Sequence, residues 1–121
     1  MRVKQPEIIF EDDAVIVCRK EAGVAVQTAR AGQADMVSLL KNYRAKKKEE
    51  PYIGLIHRLD QPVEGVMVFA KTKQAAAKLS VQVSSRSMEK EYLAVTDRMS
   101  EKRQGRLEDY LIKMEEPILL K

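Results

Sequence analysis

The segment Ile56–Thr72, IHRLDQPVEGVMVFAKT, decides how this chain is read. It places His57, Arg58 and Asp60 almost side by side, follows them with a Pro-to-Gly turn region, and continues as an apolar run ending in Lys71-Thr72. If Ile53–Leu59 is extended, its side chains alternate between two faces. Ile56, Arg58 and Asp60 then point one way, and Leu55, His57 and Leu59 the other. Arg58 and Asp60 would share a face at the end of a strand, where loops build sites. A carboxylate beside a guanidinium is held in its ionised form. The plain structural alternative is that Asp60 opens the turn Asp-Gln-Pro-Val and Arg58 pairs with it.

Working outward, Val66–Ala70 reads as the next strand, and Thr72 is placed to cap a helix over TKQAAAKLSVQVSS, with Ala76, Leu79 and Val83 along one face. Upstream, Ile8–Phe10 and Ala14–Cys18 read as short strands joined by an acidic turn at Glu11–Asp13, and Val24–Gln27 as a further extended piece. Met36, Leu39, Leu40 and Tyr43 recur at helical spacing behind Asp35, a natural cap, and that helix runs into a charged stretch broken by Pro51. Downstream, Lys90–Thr96 (KEYLAVT) has a strand pattern. The tail from Gly105 reads as a polar turn, a short helix-or-strand segment and a final apolar run. Several strand connections are too short for parallel crossovers. The expected fold is therefore α+β, with a mixed, largely antiparallel sheet and two or three helices.

Composition removes several functions. One His and one Cys are too few for a zinc site of the usual type. The five glycines form neither a phosphate-cradling loop nor a dinucleotide fingerprint, and no serine sits in a Gly-x-Ser-x-Gly elbow. The single Cys18 has no intrachain disulfide partner, which points to a reducing cytoplasm. No apolar run is long enough to span a bilayer, and the N-terminal stretch lacks a signal peptide's apolar centre. Lys plus Arg outnumber Asp plus Glu by 22 to 18, a net +4 that mildly favours an anionic partner such as nucleic acid. The basic run Lys41–Lys48 is better explained as a solvated helix end, where positive charge suits the dipole, than as a phosphate contact. Carboxylate chemistry remains, or binding without chemistry.

The order of elements resembles the RluA-type family of RNA pseudouridine synthases. HRLDQPVEGVMVFAKT resembles that family's signature; IIFEDDAVIVCRKEAGVAVQ resembles its opening strands, with Lys20 and Gly23 in the expected places. KLSVQVSSRSMEKEYLAV resembles its next helix and strand, including Lys90 and Tyr92, and GRLEDYLIK fits the segment after it. The resemblance implies isomerisation of uridine to pseudouridine in rRNA or tRNA, without a cofactor. It implies that Asp60 is the catalytic carboxylate, acting on ribose either as nucleophile at C1′ or as base at the 2′ position. It implies that Tyr92 lies against the uracil and that Arg58 contacts RNA near the flipped base. Read without the family, Tyr92 is a core or edge residue of a strand. His57 is expected to be structural or RNA-contacting rather than a general base.

The chain departs from the family at Lys20-Glu21-Ala22-Gly23, where Lys-Pro-x-Gly is common, and at Val63-Glu64, where Glu64 adds negative charge close to Asp60. A later family motif, whose basic residue pairs with the aspartate, is absent. Residues 1–121 are thus expected to form one domain, the N-terminal portion of a catalytic domain. The competing expectation is a non-catalytic half-domain that binds RNA or pairs with a second copy through an open sheet edge.

Overall fold

Asp12 closes the first turn of the chain: its carboxylate accepts the backbone N–H groups of Ala14 and Val15, at 2.8 and 2.9 Å. The computed structural model describes residues 5–99 and 101–108. The turn joins β1 (Glu7–Glu11) to β2 (Val15–Lys20), which pair antiparallel with a bulge between Ile8 and Phe10. Helix α1 (Met36–Lys46) starts where expected, with the Asp35 carboxylate accepting the N–H of Ser38 at 2.7 Å. Then come β3 (Gly54–Leu55), β4 (Gly65–Ala70) and α2 (Lys73–Ser84), the last capped by Thr72, whose hydroxyl accepts the N–H of Ala75. The sheet order is β1-β2-β4-β3, and every strand pairing is antiparallel. One parallel bridge, Ala25 to Asp35, lies outside the strands. The α+β expectation is borne out.

Alternation along β2 and β4 turns Ile16, Cys18, Met67 and Phe69 to one face, where they are fully buried against Met36, Val37 and Leu40 of α1, with Val26 and Ile53. Each large side chain so buried contributes about 1.5–3 kcal/mol. On α2, Ala76, Leu79 and Val83 are half-buried, and Ala76 meets β3 at Gly54. Glycine is required there, since a Cβ would lie 3.0 Å from the Cβ atoms of both Ala70 and Ala76.

Two buried cations brace the end of the sheet. Arg44 of α1 donates to the carbonyls of Tyr52 (2.7 Å) and Lys71 (2.9 Å) and pairs with Glu49 at 3.2 Å. Lys71 reaches Glu11 at 2.7 Å and the Asp12 carbonyl at 2.9 Å. Glu11 also accepts from the Tyr43 hydroxyl and from Lys47. Burial on its own would raise the Glu11 pKa; hydrogen bonds from Lys71, Tyr43 and Lys47 outweigh it and bring the value down to about 2.

Two sequence expectations need correction. The strand expected over Ile53–Leu59 ends at Leu55, because beyond it the chain turns away from β4. The alternation argument for Arg58 and Asp60 therefore lapses. The extended piece at Val24–Gln27 carries the Ala25 bridge to Asp35. The strand expected at Lys90–Thr96 is not formed: residues 91–99 are all exposed, so no side-chain face there gains burial to offset the entropy of extension. The chain divides into two units, Met1–Lys90 and Glu91–Lys121. The described residues of the second have no helix or strand; Arg106 pairs with Glu108 at 2.7 Å. Most of the expected tail segments, from residue 109 onward, fall outside the described residues.

Candidate active site

After Leu55 the chain leaves β4 and returns to it at Gly65; Asp60 lies on that excursion, exposed. Its carbonyl accepts the N–H of Val63 at 2.9 Å, so the Asp-Gln-Pro-Val turn is real. Its carboxylate makes no hydrogen bond or ion pair with the described residues. The Arg58–Asp60 pair expected from the bland reading is also not made: the exposed Arg58 guanidinium donates to the Gln27 side chain at 3.1 Å.

The turn is gripped from β2. Lys20 is fully buried, and its ammonium donates to the carbonyls of Glu21 (3.1 Å), Val24 (2.7 Å) and Gln61 (2.8 Å). Burial lowers its pKa from the ordinary lysine value. The Gln61 carbonyl also accepts the N–H of Gly23 at 2.8 Å, and the Gln61 amide donates back to the Gly23 carbonyl at 3.0 Å. Gly23 has φ +90°, a conformation L side chains rarely adopt, so its glycine is required by the backbone. The residue after Asp60 is thus held by a buried lysine and a glycine turn.

The residues before Asp60 are held as well. Leu59 packs half-buried against the core. His57 is half-buried, and its Nε2 accepts the N–H of Val68 in β4 at 3.2 Å. Burial, with Lys90 adding to it, lowers the His57 pKa. Glu64, expected to crowd Asp60 with negative charge, is paired with Arg19 at 3.0 Å; Arg19 also pairs with Glu7 at 3.5 Å. Tyr92 belongs to the second unit and is 64% exposed.

The roles of Lys20, Arg44 and Lys71 were missed from residue type, since charged side chains are rarely buried unless paired. For Lys20, the signal was available: it precedes Gly23 at the spacing of the family's opening motif.

The geometry presents one exposed, uncommitted carboxylate on a turn held from β2 and β4, an arrangement suited to an enzyme that works with an aspartate. Sequence comparison agrees. A family model described as RNA pseudouridylate synthase matches residues 14–119, and the chain belongs to that family. It is 30% identical over 112 residues to ribosomal large subunit pseudouridine synthase C of Escherichia coli O6:H1, covering 93% of this chain and 32% of that protein. It is 41% identical over 91 residues to ribosomal large subunit pseudouridine synthase D of Xylella fastidiosa, covering 74% of this chain and 27% of that one. The solved structure of human RNA pseudouridylate synthase domain containing 4 superposes with a TM-score of 0.57 at 30% identity, over 67% of this chain and 30% of that chain. The chain therefore spans about a third or less of the length of these relatives.

Proposed function

We propose that this chain supplies the aspartate-bearing part of an RNA pseudouridine synthase, with ribosomal RNA as the substrate class that the relatives' names suggest. The observation that carries the proposal is the Asp60 carboxylate: exposed, uncommitted among the described residues, and fixed in place through its neighbours on both sides. The reaction breaks the N1–C1′ bond, rotates the uracil, joins C5 to C1′, and releases the C5 proton while N1 gains one. No redox step or external group enters, so the proposal includes no cofactor. Asp60 acts at the ribose, either attacking C1′ or taking the 2′ proton. Arg58 binds RNA beside the target nucleotide and Tyr92 lies against the displaced base.

Asp60→Asn tests the proposal, in a protein shown to convert uridine. Loss of conversion with RNA binding retained is expected. Substantial turnover by the Asn variant removes Asp60 from the chemistry.

A second reading is favoured by the sheet's outer strand. Among the described residues, β1 has a neighbour on one side only, and Ile9 and Phe10 are 54% and 52% exposed. Such an edge pairs readily with another chain. In this reading residues 1–121 form a dimer that binds RNA without turnover. Light scattering alongside a conversion assay separates the two: a monomer that converts uridine removes the second reading, and a dimer that binds but does not convert removes the first for this chain.

A further inference from the structure

β3 pairs with only the last two residues of β4, Gly54 with Ala70 and Leu55 with Phe69. One step further along β4, the N–H of Val68 has no β3 carbonyl to meet. It donates instead to Nε2 of His57, at 3.2 Å. A backbone N–H can only donate, so Nε2 must carry a lone pair and the ring proton must sit on Nδ1. Nδ1 is buried and has no partner among the described residues. An imidazolium would add a second donor there, pointed at the N–H of Val68. The geometry therefore demands the neutral ring, and an Nε2 engaged in this way is not free to take a proton from substrate.

We infer that His57 is a positioning residue: as the neutral Nδ1–H tautomer its ring replaces the strand carbonyl that β3 does not supply, and so fixes the start of the Arg58–Asp60 segment. Lys20 holds Gln61 just after Asp60; His57 holds the chain three residues before it. The aspartate is suspended between two attachments, one from His57 to the Val68 N–H of β4 and one from the Lys20 ammonium at the end of β2 to the Gln61 carbonyl. The catalytic consequence rests on the function proposed above, but the structural claim does not.

His57 is the chain's one histidine, so its ring can be read without assignment ambiguity. In the long-range ¹H–¹⁵N spectrum of residues 1–121 at neutral pH, the Nδ1–H tautomer with an unprotonated Nε2 is expected. The Nε2–H tautomer or an imidazolium overturns the inference. His57→Gln places an amide oxygen within reach of Val68, whereas His57→Leu does not. The Gln variant should keep the Val68 amide protected and the Asp60 and Gln61 amide signals near their wild-type positions. The Leu variant should exchange the Val68 amide at least about tenfold faster and shift those signals. Unmoved Asp60 and Gln61 signals in the Leu variant sink the inference. If that variant does not fold, an unprotected Val68 amide in the folded Gln variant does the same. On uridine conversion, kcat should fall about 10- to 100-fold for Leu with KM little changed, and recover with Gln. Absence of conversion by wild-type residues 1–121 would count against turnover by this chain alone, while the spectra would still decide the role of His57.

Discussion

The Lys20 ammonium and the Gln61 carbonyl oxygen, 41 positions apart in sequence, lie 2.8 Å from each other in the folded chain. This contact joins the end of β2 to the residue after the proposed catalytic aspartate. It explains why a lysine is spent in a place with no access to water.

Lys20→Met retains the apolar stem and deletes the ammonium. The Val24 and Gln61 carbonyls then lose a charged donor in a buried setting. A loss of roughly 2–4 kcal/mol in unfolding free energy is expected by denaturant titration. Any conversion activity should fall with it, because the Asp60 turn loses its downstream hold. A variant as stable as wild type would mean that water replaces the ammonium without cost.

The Glu11 cluster sets an acid limit. The folded-state value of about 2 lies below the ordinary 4.5, so the unfolded chain takes up the proton first. The stabilisation is complete above pH 4.5 and is lost as pH falls from there toward 2. Glu11→Gln should flatten that part of the stability–pH curve. It should also cost roughly 1–3 kcal/mol at neutral pH, because the buried Lys71 side chain loses its nearer carboxylate partner and retains only Glu49. An unchanged acid limb in the Gln variant would assign the sensitivity to other carboxylates.

Tyr92→Leu addresses the second unit. If the ring lies against the flipped base, the substitution should lower turnover more than RNA binding, since that stacking forms only after the base leaves its helix. The side chain is already largely exposed, so stability should change by less than about 0.5 kcal/mol. Wild-type kinetics in the Leu variant would end the base-stacking role.

Cys18 should be inert in the native protein. It is fully buried, and burial pushes its thiol up to about 12. Thiol reagents should label it only at the rate of unfolding, and rapid stoichiometric labelling without denaturant would contradict its position in the core.

What the sequence made legible follows the range of the forces involved. The caps at Asp35 and Thr72 depend on residues within one helical turn, and both are found where local rules place them. β2 and β4 carry continuous apolar runs, residues 15–18 and 66–70, flanked by polar or turn residues, and the sheet buries Ile16, Cys18, Met67 and Phe69 from them. β3 misled because its apolar alternation continues through Leu59, while the partner N–H at Val68 is taken by an imidazole from further along the chain. The expected Arg58–Asp60 pair failed for the same reason: once the segment leaves the sheet, sequence parity no longer sets direction, and Arg58 reaches Gln27. The interior positions of Lys20, Arg44 and Lys71 depend on carbonyls distant in sequence, and of the three only Lys20 carries a local mark, its spacing ahead of Gly23.

The grip of Lys20 on Gln61 has an evolutionary consequence. The lysine holds a carbonyl oxygen, a feature every amino acid at that position provides. Pro62, Val63 and Glu64, the next residues round the turn, are all exposed. Mutational drift at those three positions can reshape and recharge the rim beside Asp60 while leaving the aspartate where it is. Two of them, Val63 and Glu64, are where this chain departs from its family's usual residues. If the proposed function holds, RNA preference can therefore diversify along the rim without moving the Asp60 carboxylate.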